Sequence, residues 1–103
     1  MTPKKLRKIR RELLEMRKSP QGRKSDEFVS LAGRLGRVRD PRGKEPTYVR
    51  ESDPTLSPPL SIPDHGAKDI KPGTARSIID ALLSDVDDWE QFLAEHEDED
   101  DDE

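Results

Sequence analysis

The chain has 103 residues, of which 29% are hydrophobic and 41% are charged, so it can bury at most one small core. It contains no cysteine, which excludes a disulfide framework and a thiolate metal site. Nothing in it approaches the roughly 18 apolar residues of a membrane span, and the basic N-terminus lacks the apolar stretch of a secretory signal, so a cytoplasmic location without membrane contact is expected.

The charges are divided unevenly between the two halves of the chain. Residues 1–50 contain 16 Lys and Arg against 6 Asp and Glu, a balance of +10, whereas residues 51–103 contain 3 against 17, a balance of −14. Such a split is typical of a chain that presents one end to a polyanion; the simpler alternative is that charged ends only keep a small domain soluble. We therefore expect the basic half to contact nucleic acid.

A first helix is predicted over residues 4–18, because Leu6, Ile9, Leu13 and Met16 fall on one narrow stripe. A helix this short is marginal alone, so residues 1–23 are interpreted as a basic helical arm and linker that either docks on the domain or folds on a partner.

A second helix, capped by Ser25 or Asp26, is predicted to run to about Leu35, with Gly36 as its left-handed end. Two short strands over residues 37–39 and 47–50 form a hairpin across a turn-rich loop, and a third strand follows at residues 60–62.

The last helix has the strongest periodicity, with apolar residues every three or four positions from Ala75 to Leu93. Its aspartates, among them Asp85 and Asp88, are predicted to cover the outer face. The acidic run over residues 95–103 is expected to be a disordered tail. The predicted fold is α+β, a small three-stranded antiparallel sheet covered by helices in the order α-β-β-β-α over residues 24–94, preceded by the extra basic helix.

The run over residues 62–79 reads IPDHGAKDIKPGTARSII. It resembles the C-terminal signature of the HicA family of toxin-antitoxin mRNA interferases, in which an apolar residue, Pro, any residue and His precede a Gly-Thr pair that opens a helix. Here Ile62, Pro63 and His65 match the first part, and Gly73 and Thr74 open the helix. The resemblance covers about residues 26–84 and implies a double-stranded-RNA-binding-like fold of the same α-β-β-β-α order.

The resemblance also implies a place for catalysis, where this chain departs from the family. HicA toxins carry Gly-Ser-His and then an aromatic residue at the second strand, and the histidine serves as general acid or base. Here Gly43 and Tyr48 match, but Glu45 occupies the position of the histidine. The candidate catalytic residues are therefore Glu45 and His65, in a variant that lacks the usual catalytic histidine.

Basic side chains around the hairpin and the helix ends are the candidate phosphate contacts, and Tyr48 is a candidate for stacking on a base. Strand alternation places Arg37 and Arg39 on one face, opposite Val38, although an ordinary solvated sheet face has the same pattern. No metal site or cofactor is predicted. The candidate RNA-binding residues are Arg34, Arg37, Arg39, Arg42, Lys44, Tyr48, Arg50, Lys68 and Arg76.

Three functions remain open. The first is RNA binding with weak or lost ribonuclease activity, and the second is an active endoribonuclease of a toxin-antitoxin pair. The third is a protein-interaction module that inserts the N-terminal helix into a partner's groove. An antitoxin-like protein partner is implied by the HicA resemblance alone.

Overall fold

In the computed structural model of the chain, which describes residues 1–42, 46–54, 58–63 and 68–96, three helices surround three short strands. The elements are α1 (Pro3–Lys18), α2 (Ser25–Arg34), β1 (Arg37–Arg39), β2 (Thr47–Arg50), β3 (Leu60–Ser61) and α3 (Pro72–Glu95). The strands form one antiparallel sheet of order β1-β2-β3. The predicted α+β fold, with α-β-β-β-α following an extra N-terminal helix, is confirmed.

The first helix, α1, belongs to the same hydrophobic core as the rest of the protein. Thr2 begins it, because its hydroxyl oxygen accepts a hydrogen bond from the Lys5 amide at 3.2 Å, and Pro3 occupies the first turn. The apolar stripe of Leu6, Ile9, Leu13 and Met16 is buried in one cluster with residues of α2 and α3. The division predicted after residue 23 therefore does not coincide with a break in the core.

Helices α1 and α3 run antiparallel, which two ion pairs make clear. Arg10 at the middle of α1 donates to Glu90 Oε2 near the end of α3, at 2.7 Å. Arg17 near the end of α1 donates to Asp80 Oδ1 nearer the start of α3, at 2.8 Å. The N-terminal end of α1 consequently lies beside the C-terminal end of α3.

Helix α2 ends as its sequence predicts, but its N-cap is Lys24 and not Ser25 or Asp26. The Glu27 side chain accepts a hydrogen bond from the Lys24 amide at 2.8 Å, which satisfies a free donor at the helix start. Phe28 and Leu35 are fully buried on its inner face. Gly36 follows with φ +93°, a left-handed conformation that costs glycine little, so the chain turns directly into β1.

Helix α3 lies against one face of the sheet, and Val38 is exposed on the other. In the register of β1 and β2, Arg37 pairs with Arg50, and Val38 pairs with Val49. The two arginines point towards α3, where they meet its carboxylates. Val38, on the opposite face, is 45% exposed. The usual arrangement, with the valines inside and the cations outside, is thus reversed in this hairpin.

Candidate nucleic-acid interface

Arg37 lies inside the protein, so the prediction that it contacts RNA is wrong. The residue is only 4% exposed, and its guanidinium donates to both oxygens of Asp85, at 2.6 and 2.9 Å. It also donates to the carbonyl oxygens of Tyr48 and Pro58, at 2.7 and 3.0 Å. A guanidinium with four internal hydrogen bonds has no free edge to offer a phosphate.

Arg50, the partner of Arg37 across the hairpin, is also buried and is also removed from the predicted interface. It is 6% exposed, and its Nη2 donates to Asp88 Oδ2 at 2.9 Å. Asp85 and Asp88 are three residues apart on one face of α3, so one turn of helix supplies a carboxylate to each of two neighbouring strands. The prediction that Asp85 faces outward is wrong, because its relative exposure is 0%.

The positive charge on the exposed part of the hairpin is largely neutralised by Asp40. Both Nε and Nη2 of Arg42 donate to the Asp40 carboxylate at 2.9 Å. The side-chain hydrogen bond from Arg42 is the main reason that the pKa of Asp40 falls to about 2. Arg39 is exposed, and Tyr48 is half-buried with its ring packed against the core. The hairpin therefore presents little net positive charge in its described part.

The remaining predicted contacts are dispersed over the surface. Arg34, at the end of α2, pairs with Glu12 of α1 at 2.8 Å. Lys68 and Arg76 are exposed near the start of α3, and neither forms an ion pair within the described part of the chain. The predicted Lys44, Glu45 and His65 lie outside the described residues.

The predicted RNA-binding residues do not include the cations of α1, which form a further basic surface. This helix contains eight Lys and Arg residues but only two Glu. Arg7, Lys8, Arg11 and Lys18 are exposed, and none of these four forms an ion pair with any residue that the structure describes. Together with Lys4 they follow the helix surface opposite its buried stripe, and we call these five residues the outer face of α1. At 1.5 Å per residue, the outer face is about 21 Å long.

A cleft of about 590 Å³ adjoins the outer face of α1, between its N-terminal half, the α2–β1 turn and α3. Its cations are Lys5, Lys8 and Arg34, and its walls include Ile9 and the indole of Trp89. No carboxylate lines it within the described residues. We call this space the Trp89 cleft.

The Trp89 ring has a fixed orientation in this cleft. Its Nε1 donates a hydrogen bond to the Leu35 carbonyl oxygen at 2.7 Å, and Phe92 packs edge-on against it with the ring centroids 5.7 Å apart. The ring is half-buried, so part of it remains available in the cleft. Three cations around an immobilised aromatic ring can bind an anion that also carries a flat apolar group.

No histidine lies in either basic surface among the residues that the structure describes. Within the described ranges, no three side chains of the His, Asp and Glu types come together to hold a metal ion. No helix in those ranges has both the length and the apolar character needed to cross a membrane. The cations on α1 and in the Trp89 cleft can bind anions.

Comparison with known proteins identifies no relative of this chain. No family model, no curated protein and no solved structure matches the chain.

Proposed function

We propose that the protein binds RNA along the outer face of α1, and that it is a HicA-like protein with weak or lost ribonuclease activity. The observation that carries the binding proposal is that Arg7, Lys8, Arg11 and Lys18 are exposed on α1 and form no ion pair with any described residue. The α-β-β-β-α order and the run over residues 62–79 support the HicA-like part.

The geometry of α1 suits a phosphate backbone. Its cations lie on a helix whose opposite side is anchored in the core, so little backbone entropy is lost on binding. Cations that follow a backbone contribute affinity without reading bases, and that affinity decreases steeply with salt. We therefore expect binding of limited sequence specificity.

The identity of Glu45 supports weak or lost cleavage. Metal-free RNA cleavage needs a group that both accepts and donates a proton near neutral pH, and the family's histidine can do so. A carboxyl group with an ordinary pKa near 4.3 accepts a proton but donates one poorly at pH 7. Replacement of histidine by Glu45 thus removes the acid function from the position implied by the resemblance.

The alternative function, in which α1 inserts into the groove of a partner protein, lacks its main structural requirement. A helix that inserts into a partner's groove needs a free apolar face. In this protein that face is already buried, with Leu13 at 0% exposure. Leu14, at 45% exposure, is a single apolar side chain among cations.

The binding proposal is tested by replacing cations in matched sets of three. In one variant Arg7, Arg11 and Lys18 become Gln; in the control, Arg39, Arg42 and Lys68 become Gln, which changes the net charge equally. Fluorescence anisotropy with a 20-base-pair RNA duplex, at several salt concentrations, measures both. We expect the α1 variant to lose at least about tenfold in affinity, and the slope of log K against log salt to flatten by roughly 0.7–0.9 per lost phosphate contact.

The control variant should stay within about threefold of the wild-type affinity, since only net charge changes. An equal loss in both variants would show that binding follows overall charge and would contradict a site on α1. Incubation of the wild type with labelled RNA measures cleavage in parallel, and rapid cleavage abolished by Glu45→Ala would overturn the proposal of weak activity.

A further inference from the structure

We propose that the Trp89 cleft binds one unpaired nucleotide of an RNA strand, with the base against the Trp89 ring and its phosphate among Lys5, Lys8 and Arg34. This inference rests on the proposed RNA binding and names the part of the RNA that the cleft selects.

The walls of the cleft suit a nucleobase. Trp89 and Ile9 give it an apolar interior, and the bond from Trp89 Nε1 to the Leu35 carbonyl oxygen holds the ring in place before any ligand arrives. A volume of about 590 Å³ is within the usual range for small-ligand sites. Aromatic side chains bind bases by stacking, which requires a base that is not already paired in a duplex.

The charge of the cleft selects an anion. Lys5, Lys8 and Arg34 line it, and none of the described residues in its wall is acidic. Arg34 uses Nη1 to bind Glu12, which orients its guanidinium without removing its other donors. An acidic peptide would satisfy the cations but leave the aromatic wall without a flat partner, whereas a nucleotide satisfies both.

The cleft is continuous with the outer face of α1. Lys8 belongs to both, so a strand that follows the outer face reaches the cleft without leaving the protein surface. The same RNA strand can therefore contact the cations of α1 through its backbone and place a base in the cleft.

Gly33 gives a way to fill the cleft without disturbing the fold. It lies in the last turn of α2 and lines the cleft, and a Cβ placed on it meets no atom within 4 Å. Gly33→Leu should therefore be accommodated, and it favours the helix because leucine has the higher helical propensity. Gly73 is equally open but lies in the first turn of α3, about 24 Å along the helix from Trp89, so Gly73→Leu is the matched control.

The test uses Trp89 itself as the reporter, because it is the only tryptophan in the chain. Single-stranded hexaadenylate is titrated into the full-length protein while the tryptophan emission is recorded. We expect quenching in the wild type and in Gly73→Leu. In Gly33→Leu the quenching should disappear, and hexaadenylate affinity should fall about tenfold, the usual scale of one stacked base. Affinity for the 20-base-pair duplex should change by less than about twofold in the same variant.

The outcomes separate this inference from the proposed function. Quenching that persists in Gly33→Leu, or equal quenching by hexaglutamate, would overturn the cleft as a nucleotide site. Duplex binding that depends on α1, with no quenching by hexaadenylate, would overturn the cleft alone. No binding of either RNA by the wild type would overturn the proposed function itself.

Discussion

Two groups of basic residues, one on the sheet and one on α1, have opposite positions in this protein. Arg37 and Arg50 are on the hairpin, where the sequence predicts exposed cations, and both are buried against α3. Arg7 and Arg11 are on a helix that the sequence presents as an optional arm, and both are exposed on a helix anchored in the core. The difference lies in what each group faces. The strands face carboxylates on α3, while no described helix or strand lies against the outer face of α1.

The largest expected effect concerns the buried pair of the sheet. Arg37→Met removes the cation from Asp85 and leaves a buried carboxylate with no positive partner. Breaking a buried pair in this way costs about 3–5 kcal/mol, which is a large part of the stability of a small domain. Urea unfolding followed by circular dichroism measures the free energy of unfolding.

The double variant Arg37→Met, Asp85→Leu distinguishes a lost pair from lost packing. Because an apolar pair of similar volume can replace a buried ion pair, we expect it to recover most of the lost stability. If the double variant is as unstable as the single one, the Arg37–Asp85 pair is not the cause. A loss below about 1 kcal/mol in the single variant would show that Arg37 is not buried as described.

A smaller effect is expected from the acidic tail, and it concerns the cations of α1. Residues 97–103 are all Asp or Glu, and they follow the end of α3, which lies beside the N-terminal end of α1. Deleting residues 97–103 should therefore raise the affinity for duplex RNA about three- to tenfold at 50 mM salt. The gain should shrink at 300 mM salt, where such charges are screened. Equal affinity of the full and shortened chains at low salt would argue against competition by the tail.

The smallest effect is expected at the exposed Asp40–Arg42 pair of the hairpin. The pKa of Asp40 is lowered to about 2 from an ordinary value of 3.8, so the pair stabilises the fold fully above pH 4. That contribution is lost as the pH falls from about 4 to about 2. An NMR titration of the Asp40 carboxyl group measures the pKa, and Arg42→Gln should return it towards 3.8. A wild-type value near 3.8 would mean that the pair does not form in solution.

Periodicity predicted most of the fold. The spacing of Leu6, Ile9 and Leu13 identifies the buried stripe of α1, and the position of Gly36 identifies the end of α2. Such local rules work because every α-helix has the same repeat of 3.6 residues per turn and commonly ends at a left-handed residue. They do not say what a helix packs against, so the docking of α1 on α3 could not be predicted from its stripe alone.

The candidate site was predicted less well, because strand alternation gives two faces but not their environments. Alternation correctly separates Arg37 from Val38, but hydrophobicity suggests that Val38 is the buried one. The sequence of α3 does contain a signal for a buried ion pair. Asp85 is three residues after Leu82 and seven after Ile78, which places it within the buried stripe of that helix. A carboxylate in such a stripe requires a buried cation, and the sheet supplies one.

The Arg37–Asp85 pair also restricts how the strands can align. Strands of two to four residues have few ladder hydrogen bonds to choose one alignment over another. A shift of β1 by a single residue would bring Val38 to Asp85 and carry Arg37 to the solvent side. The Asp85 carboxylate would then be buried without a cation beside it. A shift by one residue is therefore disfavoured, so a charge in the core helps to fix the alignment of a minimal sheet.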